Sequence, residues 1–220
     1  MIRSKGRGVD FIAVNTDAQD LHHALTSKKL HIGRNITRGL GSGMNPDLGQ
    51  QAAEESRREI EELLRGADLV FVTCGFGGGT GTGAAPIVAE IAKNQGSLTV
   101  AIVTRPFSFE GETRKRIAED GLLRLRKAVD AMIVIPNDRL MNIVERDTPM
   151  LAAFAMCDEV LRQAVQGIAD LIITPGIINV DFADVRAIMQ NSGSAIIGIG
   201  TASGKNRAQE AARAAVHSPL

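Results

Sequence analysis

Short apolar runs alternate with longer amphipathic stretches along most of this chain, and this order constrains its fold more than any other feature. Nearly continuous apolar strands separated by helices predict an α/β fold, in which helices cover both faces of a mostly parallel sheet. Right-handed crossovers then place the strand-to-helix loops at one edge of the sheet, where such folds bind ligands. The predicted strands are 11–15, 69–74, 98–103, 132–135 and 195–199, and the predicted helices are 46–65, 84–94, 111–127, 148–171 and 181–190.

The composition excludes several classes of protein. The 220 residues balance 25 Lys and Arg against 25 Asp and Glu, so no bulk charge attracts nucleic acid or an anionic membrane. No apolar run approaches the roughly 18 residues of a transmembrane helix. Cys74, Cys157 and the four histidines show no metal-binding spacing, so a reducing cytoplasm is the expected location. We expect no nucleic-acid partner and no direct membrane contact.

The last long helix has one apolar stripe. It runs over about five turns and ends before Pro175-Gly176, which is a stop signal. A helix of this length is typical either of a helix that connects two subdomains or of an ordinary surface helix. The stripe consists of Leu151, Phe154, Leu161, Val165 and Ile168.

A glycine-rich loop separates the strand at 69–74 from the helix that follows. Glycine lets an anion approach the backbone amides closely. The N-terminus of a helix adds unpaired N–H groups and the positive end of the helix dipole. The sequence therefore predicts a phosphate-binding loop, with a flexible glycine turn as the alternative. The loop reads Gly75-Phe76-Gly77-Gly78-Gly79-Thr80-Gly81-Thr82-Gly83.

Three kinds of nucleotide-binding loop are rich in glycine and compete as interpretations of this segment. A Walker A loop ends in Gly-Lys-Ser/Thr, whereas Gly83 is followed by two alanines, which excludes that class. A dinucleotide-binding loop needs an acidic residue about 20 positions on. The next strand ends in Thr104-Arg105-Pro106, which excludes the NAD form and leaves the NADP form open. A phosphate cradle of different design remains as the third possibility.

The segment Gly77–Gly83 resembles the signature loop of the tubulin/FtsZ family of GTPases. Other segments resemble the FtsZ branch, the bacterial cell-division GTPases, in family order, and together they cover essentially the whole chain. The resemblance implies that the family's first strand, first glycine loop, C-terminal domain and tail lie outside these residues. The segments are Phe11–Asp17, Gly39–Asn45, Arg105–Gly111, Ile135–Leu140 and Asn179–Val185.

The resemblance also implies an organisation and a ligand. It places a GTP-binding domain at 1–175, including a long central helix at 148–172. A catalytic-loop region and the start of a second subdomain occupy 176–220. The ligand is GTP or GDP, with Mg²⁺ beside the β- and γ-phosphates and no protein ligand assigned to the metal.

Particular residues take ligand roles by this resemblance. Without it, Asn15–Asp17 would be a helix N-cap, Glu110 and Arg114 an i,i+4 ion pair, and Phe154 a core residue. The implied phosphate contacts are Gly77, Gly78, Gly79, Thr80, Gly81, Thr82, Gly41, Ser42, Gly43 and Arg114. Asn15 and Asp17 lie beside the base and phosphates, Glu110 at the ribose, Asn137 and Asp158 at the guanine edge, and Phe154 against its face.

The last implied role concerns hydrolysis. The loop with Asn179, Asp181 and Asp184 is expected to enter the nucleotide site of the next subunit and to orient the attacking water. Such a head-to-tail contact generates a filament, here the mid-cell division ring. Membrane-anchoring division proteins are expected to bind only the tail outside these residues. From the residues alone, Asp181 and Asp184 form a helix capping box.

Two other functions stay open at this point. The first is an NADP-dependent oxidoreductase that uses the glycine loop and Arg105, although the chain has no Tyr or well-placed His for hydride chemistry. The second is a fragment that binds nucleotide without catalysis.

Overall fold

The computed structural model describes residues 9–140, 149–174, 181–198 and 200–217. None of the helices in this described part is long and apolar enough to cross a membrane. A short 3₁₀ turn covers Ser108–Glu110. The elements are β1 (Ile12–Asn15), α1 (Ala18–His23), β2 (Lys28–His31), α2 (Arg34–Thr37), α3 (Pro46–Glu55), α4 (Arg57–Leu64), β3 (Leu69–Gly75), α5 (Thr80–Asn94), β4 (Leu98–Arg105), α6 (Glu112–Ala128), β5 (Ala131–Pro136), α7 (Asn137–Leu140), α8 (Met150–Ile173), α9 (Phe182–Met189), β6 (Gly193–Ala195) and α10 (Arg207–Val216).

The described strands form two sheets, and every strand pair within them is parallel. The smaller sheet pairs β1 with β2, and the larger one has the order β3-β4-β5-β6. In the larger sheet, Phe71 lies opposite Val100, and Ile102 lies opposite Ile133. The predicted parallel α/β fold is confirmed, and its strands are divided between two sheets.

Helices cover both faces of the larger sheet. Ala101 and Val103 of β4 belong to a core with α3, α5 and α6, whereas Val100 and Ile102 belong to a core with α8 and α9. Successive side chains of a strand point to opposite faces, so a strand buried on both faces is apolar throughout. This explains why β4 reads as one unbroken apolar run.

Two helix boundaries differ from the prediction. The single helix predicted at 46–65 is divided at Ser56, whose Oγ accepts a hydrogen bond from the Gly33 N–H at 3.2 Å. Helix α5 begins at Thr80, four residues before the predicted start, because its glycines allow the first turn to press against α3. A Cβ on Gly83 would lie 2.0 Å from the Pro46 carbonyl oxygen.

The predicted long helix is confirmed as α8, but its apolar stripe is buried only in part. Leu161, Val165 and Ile168 are buried, while Leu151 is 83% exposed and Phe154 is 38% exposed. The strand predicted at 195–199 was placed too late, since β6 ends at Ala195. The sequence reasoning did not predict α1, β2 or α2, because they are too short for periodicity to show.

Candidate functional site

The glycine loop lies at the carboxyl edge of β3 and leads directly into α5, as predicted. Gly77 has a φ of +103°, which favours glycine, and its N–H donates to Thr82 Oγ1 at 2.9 Å. The Gly79 N–H donates to the Gly43 carbonyl at 2.8 Å, so the predicted 41–43 turn packs on the loop. A Cβ on Gly78 would meet nothing within 4 Å. The space above Gly78 is therefore open to a ligand.

Four backbone N–H groups near this opening have no protein acceptor within the described residues: Gly78, Thr80, Gly81 and Thr82. The first helical bond of α5 is made by Gly83, whose N–H donates to the Gly79 carbonyl at 2.9 Å. Unpaired amides at the start of a 15-residue helix, together with the helix dipole, attract an anion. This geometry suits a phosphate group.

Three hydroxyl groups join separate segments beside the loop. Thr80 Oγ1 lies 2.7 Å from Thr16 Oγ1 and 2.7 Å from Ser42 Oγ. Thr16 is fully buried at the end of β1, and its carbonyl accepts from the Gly41 N–H at 3.2 Å. Thr16 was not a predicted site residue, since a threonine after a strand has no distinctive pattern and its partner is 64 residues away.

Asn15 and Asp17 lie next to this hydroxyl group cluster and make local caps. Asn15 Oδ1 accepts from the Thr16 and Asp17 N–H groups at 2.8 and 3.2 Å. Asp17 Oδ1 accepts from the Gln19 and Asp20 N–H groups at 2.8 and 3.1 Å, which caps α1. Both side chains therefore cap nearby backbone N–H groups, as the residues alone predict. Both residues also lie at the edge of the candidate site.

Glu110 and Arg114 form their i,i+4 ion pair on the other side of the loop. Glu110 Oε2 accepts from Arg114 Nη1 at 2.9 Å, and Glu110 Oε1 accepts from the Phe107 N–H at 2.9 Å. A Cβ on Gly77 would lie 3.0 Å from the Arg114 carbonyl oxygen. The glycine loop thus packs against the backbone of Arg114.

An aromatic cluster follows the end of β4. Phe107 is buried, and its ring stacks on Phe109 with centroids 4.9 Å apart. The edge-to-face partner of Phe107 is Phe154, at 5.3 Å. The ring of Phe154 is therefore partly exposed and packs on the buried ring of Phe107. Only Phe154 of these three was predicted as a site residue.

Asn137 and Asp158 flank this cluster on α7 and α8, which pack together. Asn137 is 5% exposed, and its Oδ1 has no hydrogen-bond partner in the described part of the chain. A buried acceptor left unpaired costs about 1–3 kcal/mol, so this atom suits a ligand N–H. Asp158 is exposed and lies beside Cys157. Burial, reinforced by the Asp158 charge, raises the pKa of Cys157 to about 11.

The structure does not bring the predicted catalytic acids to this site. Asp181 and Asp184 form a capping box, in which Asp181 Oδ1 accepts from the Asp184 N–H at 2.9 Å. Arg186 Nη2 of the same helix donates to the Asp68 and Gly96 carbonyls at 3.3 and 3.0 Å, just before β3 and β4 begin. Helix α9 therefore lies at the amino edge of the sheet, opposite the glycine loop. Asn179 lies outside the described residues.

No group of three or more His, Cys, Asp or Glu among the residues described is placed to hold a metal ion.

The fold and site define a class: α/β proteins in which a helix N-terminus with unpaired amides lies at the carboxyl edge of a parallel sheet. The chain belongs to the tubulin/FtsZ family, because residues 3–145 match the model of that family's GTPase domain. The predicted family is thereby confirmed.

Solved structures agree with this assignment. An empty FtsZ dimer of M. jannaschii is 51% identical with a TM-score of 0.93, over 98% of this chain and 63% of that one. A GTPγS-bound protofilament of CetZ2 from Haloferax volcanii is 26% identical with a TM-score of 0.72, over 89% of this chain and 57% of that one. A GDP-bound CetZ1 monomer from the same organism is 25% identical with a TM-score of 0.70, over 88% and 58%. The chain thus spans less than two thirds of the length of these relatives.

Proposed function

We propose that this chain is the nucleotide-binding part of a cytoplasmic GTPase that polymerises head to tail into the cell-division ring. The observation that carries the proposal is the set of unpaired amides of Gly78, Thr80, Gly81 and Thr82, with open space above Gly78. Family membership supports it, as do the GTPγS-bound protofilament and the GDP-bound monomer among its relatives. Contacts with membrane-anchoring division proteins belong to the proposal only for the whole protein.

The residues present fit a guanine nucleotide. The unpaired amides of α5 would hold phosphate oxygens, and Arg114 adds a positive charge beside them. Phe154 offers a ring face to the base. Guanine presents two N–H donors on one edge, and the unpartnered Asn137 Oδ1 and the Asp158 carboxylate are acceptors that match them. Adenine presents an acceptor in the corresponding position, so a carboxylate there would repel it.

The main ligands that this site would offer Mg²⁺ are the phosphate oxygens of the nucleotide itself. Mg²⁺ keeps several waters and is commonly held by substrate phosphates with one or two carboxylates. The described residues provide no dedicated metal cluster. We therefore propose that Mg²⁺ joins with the β- and γ-phosphates, where it would offset their negative charge.

Hydrolysis is proposed to occur between subunits. The seven residues of β3 separate the glycine loop from the edge that carries α9, a distance of about 23 Å at 3.3 Å per residue. Asp181 and Asp184 of one chain thus cannot reach a nucleotide on its own glycine loop. In a head-to-tail contact the acids of one subunit would face the nucleotide of the next, where they would orient the attacking water.

A glycine substitution tests the nucleotide site. Gly78→Ala adds a methyl group to open space, so it should leave folding intact and obstruct the phosphates. We expect at least a tenfold loss of affinity for a fluorescent GTP analogue, measured by titration. Gly167→Ala is the matched control, because a Cβ on Gly167 in α8 also meets nothing within 4 Å. Its affinity should equal that of the unmodified chain.

Competition then identifies the base. Unlabelled GTP should displace the probe, and ATP at the same concentration should not. A cooperatively folded chain that binds no probe would show the nucleotide proposal to be wrong. Equal displacement by ATP would disprove the guanine-specific roles of Asn137 and Asp158 while leaving the phosphate site in place.

A further inference from the structure

Asp138 connects the segments that follow two neighbouring strands. Strands β4 and β5 pair in parallel, and Arg105 at the end of β4 lies opposite Pro136 at the end of β5. Beyond these ends, Asp138 Oδ1 accepts a hydrogen bond from the Ser108 N–H at 2.9 Å. This bond joins the 3₁₀ turn Ser108–Glu110 to α7, which lies 30 residues further along the chain. The turn after β4 is therefore held to the helix after β5.

The backbone of this turn determines where the Glu110 carboxylate lies. Glu110 Oε1 accepts from the Phe107 N–H at 2.9 Å, and the Glu110 N–H donates to the Phe107 carbonyl at 3.0 Å. The Glu110 side chain is thus folded back onto the residue before the turn, and it is only 14% exposed. Because these bonds are made with the backbone, the carboxylate moves when the turn moves.

The Glu110 carboxylate lies between two parts of the candidate nucleotide site. On one side, Glu110 Oε2 accepts from Arg114 Nη1 at 2.9 Å, and the Arg114 carbonyl oxygen would lie 3.0 Å from a Cβ on Gly77 in the glycine loop. On the other side, the ring of Phe107 contacts the ring of Phe154, which is proposed to face the base. In a nucleotide, the ribose joins the base to the phosphates. The carboxylate is therefore placed to face the ribose.

A carboxylate at this position can accept hydrogen bonds from ribose hydroxyls. Each carboxylate oxygen has about two lone pairs, and each accepts one bond from the described part of the chain, so each can accept another. Such charge-assisted bonds are strong, but they weaken steeply when donor and acceptor are out of line. The bonds within a short 3₁₀ turn have poor geometry, so the orientation of the turn depends on its contacts with other segments.

We propose that Asp138 is a positioning residue, which holds the 108–110 turn so that the Glu110 carboxylate meets the ribose hydroxyls of a bound nucleotide. The inference rests on the proposed nucleotide-binding function and deepens it, because it makes the site selective for ribonucleotides. Asp138 directly follows Asn137, whose unpaired Oδ1 is proposed to accept from the base. The short helix α7 thus keeps recognition of the base and recognition of the ribose at a fixed spacing.

The test compares GTP with 2′,3′-dideoxy-GTP, which lacks both ribose hydroxyls. Affinities of the full chain are measured by displacement of a GTP analogue that is labelled on its terminal phosphate. We expect the unmodified chain to bind GTP about tenfold more tightly than the dideoxy nucleotide, and Asp138→Ala to reduce this ratio to about threefold or less. The ratio of GTP to ATP affinity should stay constant, because Asn137 is unchanged. General loosening of the fold would instead lower all three affinities together.

Two further variants serve as controls. Asp138→Asn keeps an oxygen that can accept from the Ser108 N–H, so it should restore the ratio of GTP to dideoxy-GTP affinity. Asp120→Ala, at an exposed aspartate of α6, should change neither ratio. A second readout needs no nucleotide: the Ser108 amide of the free chain should exchange about threefold faster or more in Asp138→Ala than in Asp138→Asn.

The double variant Glu110→Ala/Asp138→Ala distinguishes positioning from direct contact. If Asp138 acts through Glu110, adding Asp138→Ala to Glu110→Ala should cause no further loss of GTP affinity, whereas an additive loss would overturn the inference.

The failure of this inference can be told from the failure of the proposed function. GTP binding with a ratio near one in the unmodified chain, or with an unchanged ratio in Asp138→Ala, would overturn the inference alone. A folded, unmodified chain that binds neither GTP nor dideoxy-GTP would overturn the proposed function, and the inference with it.

Discussion

Cys157 lies on the buried side of α8 and packs against Phe107, whose ring also contacts Phe154. Burial and the nearby Asp158 charge raise the pKa of this thiol from 9.0 to about 11. A raised pKa in the folded state means that the unfolded chain loses its proton first. The thiol therefore has no effect on stability below about pH 9, and it lowers stability as the pH rises from 9 to 11.

This pKa shift can be measured directly. In a Cys74→Ser background, the ultraviolet absorbance of the thiolate should titrate with a midpoint near pH 11 in the folded chain. The same sample in denaturant should titrate near the ordinary value of about 9. A folded midpoint equal to the denatured one would contradict the buried environment assigned to Cys157.

At the scale of single residues, the sequence predicted the position of the glycine loop between a strand and a helix but not what each glycine does. Gly79, Gly81 and Gly83 are required by close packing, since a Cβ on any of them would lie within 2.6 Å of another atom. Gly78 alone of the loop's central glycines faces open space. Composition cannot separate these roles, because both packing and ligand approach select glycine. Whether the implied GTP contacts are made stays a prediction.

At the scale of elements, periodicity located the long helices and the longer strands. It failed at boundaries set by tertiary contacts, such as the division at Ser56. It also failed at the start of α5, where propensity opposes a helix through Gly81 and Gly83 and packing against α3 overrides it. These contacts join segments that are distant in sequence, so no local pattern signals them.

Helix α9 offers a test at the same scale. Arg186 fixes this helix to the amino edge of the sheet through the Asp68 and Gly96 carbonyls, and its guanidinium lies 5.1 Å from the centre of the Phe182 ring. Arg186→Ala should weaken the docking of α9 by about 1–3 kcal/mol. Amide exchange at 182–189 should then be about tenfold faster or more. Arg58→Ala, at an exposed arginine of α4, is the control and should change nothing there.

Exchange at 182–189 that is unchanged in Arg186→Ala would show that apolar packing alone holds α9. Arg186→Lys separates the contribution of the positive charge from that of the guanidinium geometry. Lysine keeps the charge but lacks the planar guanidinium that places Nη2 at both carbonyls and lies over the Phe182 ring.

At the scale of the whole molecule, the glycine loop and the α9 acids lie at opposite edges, and this arrangement predicts complementation. Gly78→Ala should lack nucleotide but retain its acids, and Asp184→Asn should bind nucleotide but lower hydrolysis by roughly 10²–10⁴. Each variant alone should be nearly inactive. In an equal mixture, a contact is productive when an Asp184→Asn chain supplies the nucleotide and a Gly78→Ala chain supplies the acids. Random head-to-tail assembly makes about a quarter of the contacts productive, so the mixture should recover about a quarter of the turnover of the unmodified chain.

The mixing experiment has clear contrary results. A mixture as inactive as its components would exclude hydrolysis between subunits. Loss of nucleotide affinity in Asp184→Asn would show that the residue acts only through the capping box. The unmodified chain must itself hydrolyse GTP, and if it does not, the catalytic part of the proposal is wrong for this chain.

The parallel α/β class could be predicted for the whole molecule because strand burial and helix periodicity are local properties. The separation of β1 and β2 from the larger sheet could not be predicted from pattern, since strand order depends on contacts across the chain. The proposed second subdomain from residue 176 onward stays a prediction.

The hydroxyl cluster at Thr80 has a consequence for the order of folding. Residues 69–136 form β3, α5, β4, α6 and β5, in which the strands pair in sequence order and α5 packs on α6. The β1–β2 pair joins them through contacts such as Thr16 to Thr80, which close a loop of 64 residues. Loop closure of this length has an entropic cost that short-range contacts avoid. We therefore expect the chain to fold from its centre, with the β1–β2 pair docking last.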